Sequence, residues 1–159
     1  MIRKTLDARR VSRRELLSLF GAGTVAAMGI SLAGPAFADA KAVDAAINKL
    51  TGGKTPASGK IAMDTPQIAE NGSTVPITIN VDSPMSDSDH VKALHLWADG
   101  NPSPEVASFH FTPMSGKAYV STRIRLAKTQ NVVAVAEMSD GSFTMAKSEV
   151  KVTIGGCGG

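Results

Sequence analysis

Cysteine occurs once in the 159 residues, aromatic side chains make up only 4%, and there is no net positive charge beyond the first segment. Each shortage excludes something. A single cysteine rules out an intramolecular disulfide and any CxxC pair. The three histidines, His90, His95 and His110, include no HxxxH spacing, and GxSxG, HExxH and P-loop motifs are missing. The longest weakly apolar stretch, residues 19–33, is broken by Gly21, Gly23 and Gly29. It falls short of the about 20 apolar residues that a stable membrane helix needs. Arg3, Lys4, Arg9, Arg10, Arg13 and Arg14 are six of the 17 basic residues, whereas only Asp7 and Glu15 of the 14 acidic ones lie among them. Residues 39–159 therefore hold 11 basic and 12 acidic groups, and the overall +3 belongs to the N-terminal segment. The rest of the chain has no electrostatic footing for nucleic acid. With 43% hydrophobic and 19% charged residues, the chain is a foldable globular protein of one domain.

Residues 1–38 read as a cleaved export signal. A basic stretch ends at Arg13-Arg14, a mild apolar run follows, and Ala36-Phe37-Ala38 matches the small-x-small rule of signal peptidase. The arginine pair before a weakly hydrophobic run resembles a twin-arginine signal, although Ser18 stands where that motif usually has a basic residue. Export to the periplasm without stable membrane insertion is the expectation.

Residues 39–60 are predicted to form a short helix and a linker. Val43, Ile47 and Leu50 share one helical stripe, and Gly52-Gly53 stop it. Residues 61–154 then turn to strand periodicity. Val75, Ile77, Ile79 and Val81 alternate with Pro76, Thr78 and Asn80, and Asn71-Gly72 before them is a turn signal. Further strands are predicted over 91–98, 106–112, 118–126 and 131–138. Residues 143–154 follow, with a break expected near Lys147. One short strand around Ile61 or Ile68 brings the count to about seven. Short strands separated by turn residues predict an all-β, immunoglobulin-like antiparallel β-sandwich, with the short N-terminal helix and a flexible C-terminal arm.

Most polar candidates read as ordinary structure. His95 and His110 sit in strand candidates, where a hydrogen-bonded strand histidine is the plain reading. Met63, Met85, Met114, Met138 and Met145 are scattered gap fillers rather than a copper site. The acidic stretch 82–90 lacks the glycine and terminal glutamate of an EF-hand. No metal site and no bound cofactor are expected, and nothing assembles a catalytic centre. The exception is Cys157, flanked by Gly155, Gly156, Gly158 and Gly159. In an exported protein an odd cysteine means intermolecular pairing or a working thiol. Residues 155–159 are predicted to form a thin, mobile arm able to enter a channel backbone first. No base or oxyanion donor is fixed beside the sulfur, so the arm suits presentation of a covalent adduct rather than catalysis in place.

Val152 to Gly159, ending in GGCGG, resembles the C-terminus of the SoxY family, sulfur-carrier subunits of the thiosulfate-oxidising Sox system. The resemblance implies a covalent substrate carrier that is not itself an enzyme. Cys157 would be the attachment point for S-thiosulfonate and persulfide intermediates. It implies a heterodimer with a SoxZ-like β-sandwich subunit. It also implies transient docking to a c-type haem enzyme that conjugates thiosulfate, a sulfate-releasing hydrolase and a sulfane dehydrogenase. The alternative is a periplasmic metal-binding β-sandwich module, which would leave the GGCGG unexplained, or a structural one cross-linked through Cys157.

Overall fold

Helix α1 (Ala40–Thr51) forms where the sequence supplies good helix formers and buries Val43 and Ile47 from its apolar stripe. It ends on Gly52 and Gly53, both at positive φ, with the Gly53 N–H donating to the Asn48 carbonyl at 3.1 Å. Only glycine adopts that left-handed exit without steric cost. The computed structural model describes residues 40–156, all within one unit of the chain. Arg13, Arg14, Ala36 and Ala38 of the export signal lie outside the described residues, as do Cys157, Gly158 and Gly159.

Eight strands follow: β1 (Ile61–Asp64), β2 (Ile68–Asn71), β3 (Val75–Val81), β4 (Val91–Ala98), β5 (Glu105–His110), β6 (Ala118–Ile124), β7 (Gln130–Met138) and β8 (Phe143–Ile154). They make a three-stranded sheet, β1-β3-β6, and a five-stranded sheet, β2-β8-β7-β4-β5. Inward residues of both sheets form one core, including Val75, Ile77, Ile79, Leu94, Leu96, Val132, Ala134 and Val150. Such alternating inward residues are what hold a sandwich together. The all-β sandwich predicted from strand spacing is the fold observed.

Three details differ from the expectation. Both Ile61 and Ile68 lie in short strands, so the count is eight. β8 runs unbroken through Lys147, because β7 pairs with it continuously there, Val133 lying opposite Lys147. β7 pairs with Phe143–Val150 and β2 with Lys151–Ile154, so pairing never lapses. Finally, the sandwich is not wholly antiparallel, since β2 lies parallel to β8. A parallel neighbour needs a long connection, and here all the strands from β3 to β7 lie between them in sequence.

β4 and β7 are buried almost throughout. The reason is α1, whose Val43 and Ile47 pack on Trp97, Val133 and Val135 on the outer face of the larger sheet. The middle strands of that sheet thus face apolar layers on both sides, which accounts for the near-continuous hydrophobic run of β7. Pro76 is the second residue of β3, and β1 pairs only from Thr78 onward, so its missing N–H costs no bond on that side.

Candidate functional site

The candidate site is the end of the sandwich from which the chain leaves toward Cys157. β8 finishes at Ile154 alongside the β6–β7 connection, which meets the chain at Val152 and again at Gly156. That connection, residues 125–129, is fixed from below by a polar cluster. Gln130 is buried, and its Oε1 accepts the Gly100 N–H at 2.6 Å. Its Nε2 donates to Asn101 Oδ1 at 2.8 Å and to the Lys128 carbonyl at 3.1 Å. Asn101 in turn donates from Nδ2 to the Arg125 carbonyl and accepts the Ala127 N–H, at 2.8 and 2.9 Å. A buried amide costs stability unless its groups are paired; these are paired, and the pairing sets where Leu126 and Ala127 sit. Thr129 Oγ1 accepts the Val152 N–H at 2.9 Å and ties the same connection to β8.

On this base the first two glycines of the arm are seated against the body of the protein. The Gly156 N–H donates to the Leu126 carbonyl at 3.0 Å, the Leu126 N–H to the Gly72 carbonyl at 2.8 Å, and the Gly72 N–H to the Ile154 carbonyl at 2.8 Å. Each such bond contributes a net of about 0.5–1.5 kcal/mol. The backbones approach so closely that side chains are excluded. A β-carbon at Gly156 would sit 2.7 Å from both C and O of Gly72. One at Gly72 would overlap the Leu126 carbonyl and lie 2.6 Å from the Gly156 nitrogen, and one at Gly155 would overlap the Ala127 carbonyl.

This departs from the expectation of an arm that is free from Gly155 onward. Gly72 and Gly156 are buried. Entropy favours loose glycine chains, but here hydrogen bonds and contact at van der Waals distance hold two of them. Cys157, Gly158 and Gly159, also proposed from the sequence, lie outside the described residues. Sequence reasoning took Asn71-Gly72 only as a turn. Its Asx bond, Ser73 N–H to Asn71 Oδ1 at 2.9 Å, agrees with that. Nothing in the sequence pairs Gly72 with Leu126 or Gly156, and Asn101 and Gln130 carry no local signal either.

The other candidates are structural in their surroundings. His95 Nδ1 lies 2.8 Å from Ser108 Oγ, and its ring stacks on Trp97 at 5.7 Å and meets His110 edge-on at 6.4 Å. Burial, and secondarily His110, lower its pKa from the ordinary 6.5, while Glu137 and Glu105 act the other way. The acidic loop is bonded to itself, with Ser86 Oγ accepting the Asp89 N–H at 3.1 Å and His90 Nδ1 lying 3.1 Å from the Ser86 carbonyl. Among the described residues no three His, Cys, Asp or Glu side chains converge as metal ligands, and no helix is long and apolar enough to cross a membrane.

Residues 47–157 match the family described as sulfur oxidation protein SoxY, and the match runs through Cys157. No curated protein sequence matches the chain. Among solved structures, the sulfur carrier protein SoxY from Chlorobium limicola f thiosulfatophilum is 37% identical with a TM-score of 0.59. That similarity covers 73% of this chain and 100% of that one. A variant of the superoxide reductase neelaredoxin from Ignicoccus hospitalis is 16% identical with a TM-score of 0.53, covering 58% of this chain and 79% of its own. A second variant of that protein is 17% identical with a TM-score of 0.54, covering 72% and 89%. At such identity the reductases share the fold alone.

Proposed function

The chain belongs to the SoxY family, and from that membership we propose that it is a periplasmic sulfur carrier of the Sox system, with Cys157 as the covalent anchor. The observation that carries the reading is the family match extending to the protein's single cysteine within GGCGG. The chemistry needs a nucleophilic thiol and an outside catalyst. Cysteine thiolate and thiosulfate join through a new S–S bond, giving Cys–S–S–SO3⁻. The two electrons released pass to a c-type haem enzyme. Water then cleaves the bond between the outer sulfur and the SO3 group, releasing sulfate and a proton and leaving the persulfide Cys–S–SH. A sulfane dehydrogenase then accepts six electrons from the outer sulfur, which takes three oxygen atoms from water to give Cys–S–SO3⁻ with release of protons, and a second hydrolysis releases sulfate and returns the free thiol. The protein itself supplies the attachment point and its presentation. A SoxZ-like β-sandwich subunit is the stable partner in this reading, and the enzymes dock transiently.

The test is intact mass and peptide mapping after incubation with thiosulfate and the cognate enzymes. Wild type should gain one S2O3 group, then retain one sulfur atom, both on the peptide containing Cys157. Cys157→Ser should gain neither. An adduct elsewhere, or none on wild type, overturns the carrier assignment.

A further inference from the structure

We propose that Gly72 is a positioning residue for the carrier cysteine, a role that rests on the carrier reading above. Gly72 lies in the β2–β3 turn, far in sequence from GGCGG, yet it stands between the two segments that meet at the arm's root. Its N–H holds Ile154, its carbonyl holds Leu126, and Leu126 holds Gly156. The three backbones form a small clasp in which only hydrogen fits at the α-carbons that touch. A β-carbon at Gly72 would lie 2.6 Å from the Gly156 nitrogen and 2.9 Å from Val152 Cγ1, and one at Gly156 would lie 2.8 Å from the Ser73 nitrogen.

The clasp determines reach. The Cα of Cys157 is one peptide unit, about 3.8 Å, from that of Gly156. With the clasp closed, the thiol is delivered from a fixed point at the end of the sandwich. With it open, the chain pivots at Ile154, and two further residues lengthen the reach by about 7 Å. A short tether confines the thiol to a smaller volume and raises its effective concentration at a docked enzyme. The two halves of GGCGG therefore differ in purpose. Gly155 and Gly156 are glycines because the body of the protein lies against them, whatever an enzyme channel demands of Gly158 and Gly159.

The experiment attaches a nitroxide to Cys157, the single cysteine, in the processed full-length protein and reads its paramagnetic resonance line. Gly156→Ala, Gly72→Ala, their double variant and Gly158→Ala are compared with wild type. The label should be restricted in wild type and in Gly158→Ala. It should narrow in both clasp variants, with the double variant no narrower than either single one, since each opens the same contact. Exchange of the Gly156 amide should rise by about tenfold or more in Gly72→Ala, as expected for an amide that loses its partner. Gly156→Ala adds its methyl to the arm and leaves the core untouched. Because the clash is with the Gly72 backbone, this variant decides the matter alone if Gly72→Ala does not fold. A wild-type line already as narrow as that of Gly156→Ala, or clasp variants that match a restricted wild type, would overturn the role. Sulfur uptake does not enter these spectra, so failure of the carrier reading would appear separately, in the mass measurement.

Discussion

Gly156 and Gly158 flank the same cysteine, but substitutions at the two positions should fail for different reasons. A valine at Gly156 collides with the Gly72 backbone, so it should free the arm's root as well as stiffen it. A valine at Gly158 should leave the root seated and act only on the enzyme encounter. Both should keep a thiol that reacts with a small maleimide, while both become poor substrates for the haem enzyme and the hydrolase. Wild-type turnover by Gly158→Val would show that a narrow arm is not required. His95 offers a different test. Its pKa is lowered in the folded protein, first by burial and then by His110, against the opposing pull of Glu137 and Glu105. A group that binds its proton less readily when folded leaves stability complete above its unfolded value of 6.5. Stability is lost as pH falls below that value and levels off once pH passes the folded pKa. Urea midpoints should therefore drop more between about pH 8 and about pH 5 in wild type than in His95→Gln. Equal drops would remove His95 from the acid response.

α1 shows how one element changes what a sheet can be. By covering Trp97, Val133 and Val135 it turns β4 and β7 into strands buried on both faces. Ile47 is 7% exposed and packs in that layer. Ile47→Ala should cost about 2–4 kcal/mol by lost burial and the cavity left behind. Urea unfolding measures that cost, and Trp97, the only tryptophan, should report it as a red shift in emission. A change near zero would mean that α1 is not part of the cooperative unit. A second element-level prediction concerns the β6–β7 connection. Gln130→Ala leaves the Gly100 N–H and Asn101 short of partners and should destabilise by about 1–3 kcal/mol. Amide exchange at Ala127 and Gly156 should rise together. Protection unchanged at Gly156 would disconnect the polar cluster from the arm's root.

For the molecule as a whole, the consequences are assembly and export. The resemblance implies a SoxZ-like partner that carries no export signal of its own, and the arginine pair resembles the signal of a route that moves folded cargo. Replacing Arg13 and Arg14 by Lys should therefore strand both proteins in the cytoplasm, as followed by fractionation and immunoblotting. Normal periplasmic partner in that variant would show that the two travel separately. The predictions for Cys157, the arm and this route together separate a carrier from a merely structural sandwich.

The sequence by itself determined what repeats locally. Alternating Val75, Ile77, Ile79 and Val81 fixed β3, the stripe of Val43 and Ile47 fixed α1, and the Ser139-to-Ser142 turn fixed the β7–β8 hairpin, where Asp140 Oδ1 accepts the Ser142 N–H at 2.8 Å. It also pointed to Cys157, because a lone cysteine among four glycines has nothing beside it in sequence to bury. Tertiary structure alone decided what depends on segments distant in the chain. β8 continues through Lys147 because β7 pairs with it without a break from Phe143 to Val150, Val133 lying opposite Lys147, and no window of residues around Lys147 contains that fact. Gly72 is required to be glycine by Leu126 and Gly156, which reach it only after both sheets have closed. Periodicity reports the face a residue presents, whereas the approach of one backbone to another is set by packing, and packing is a property of the folded chain.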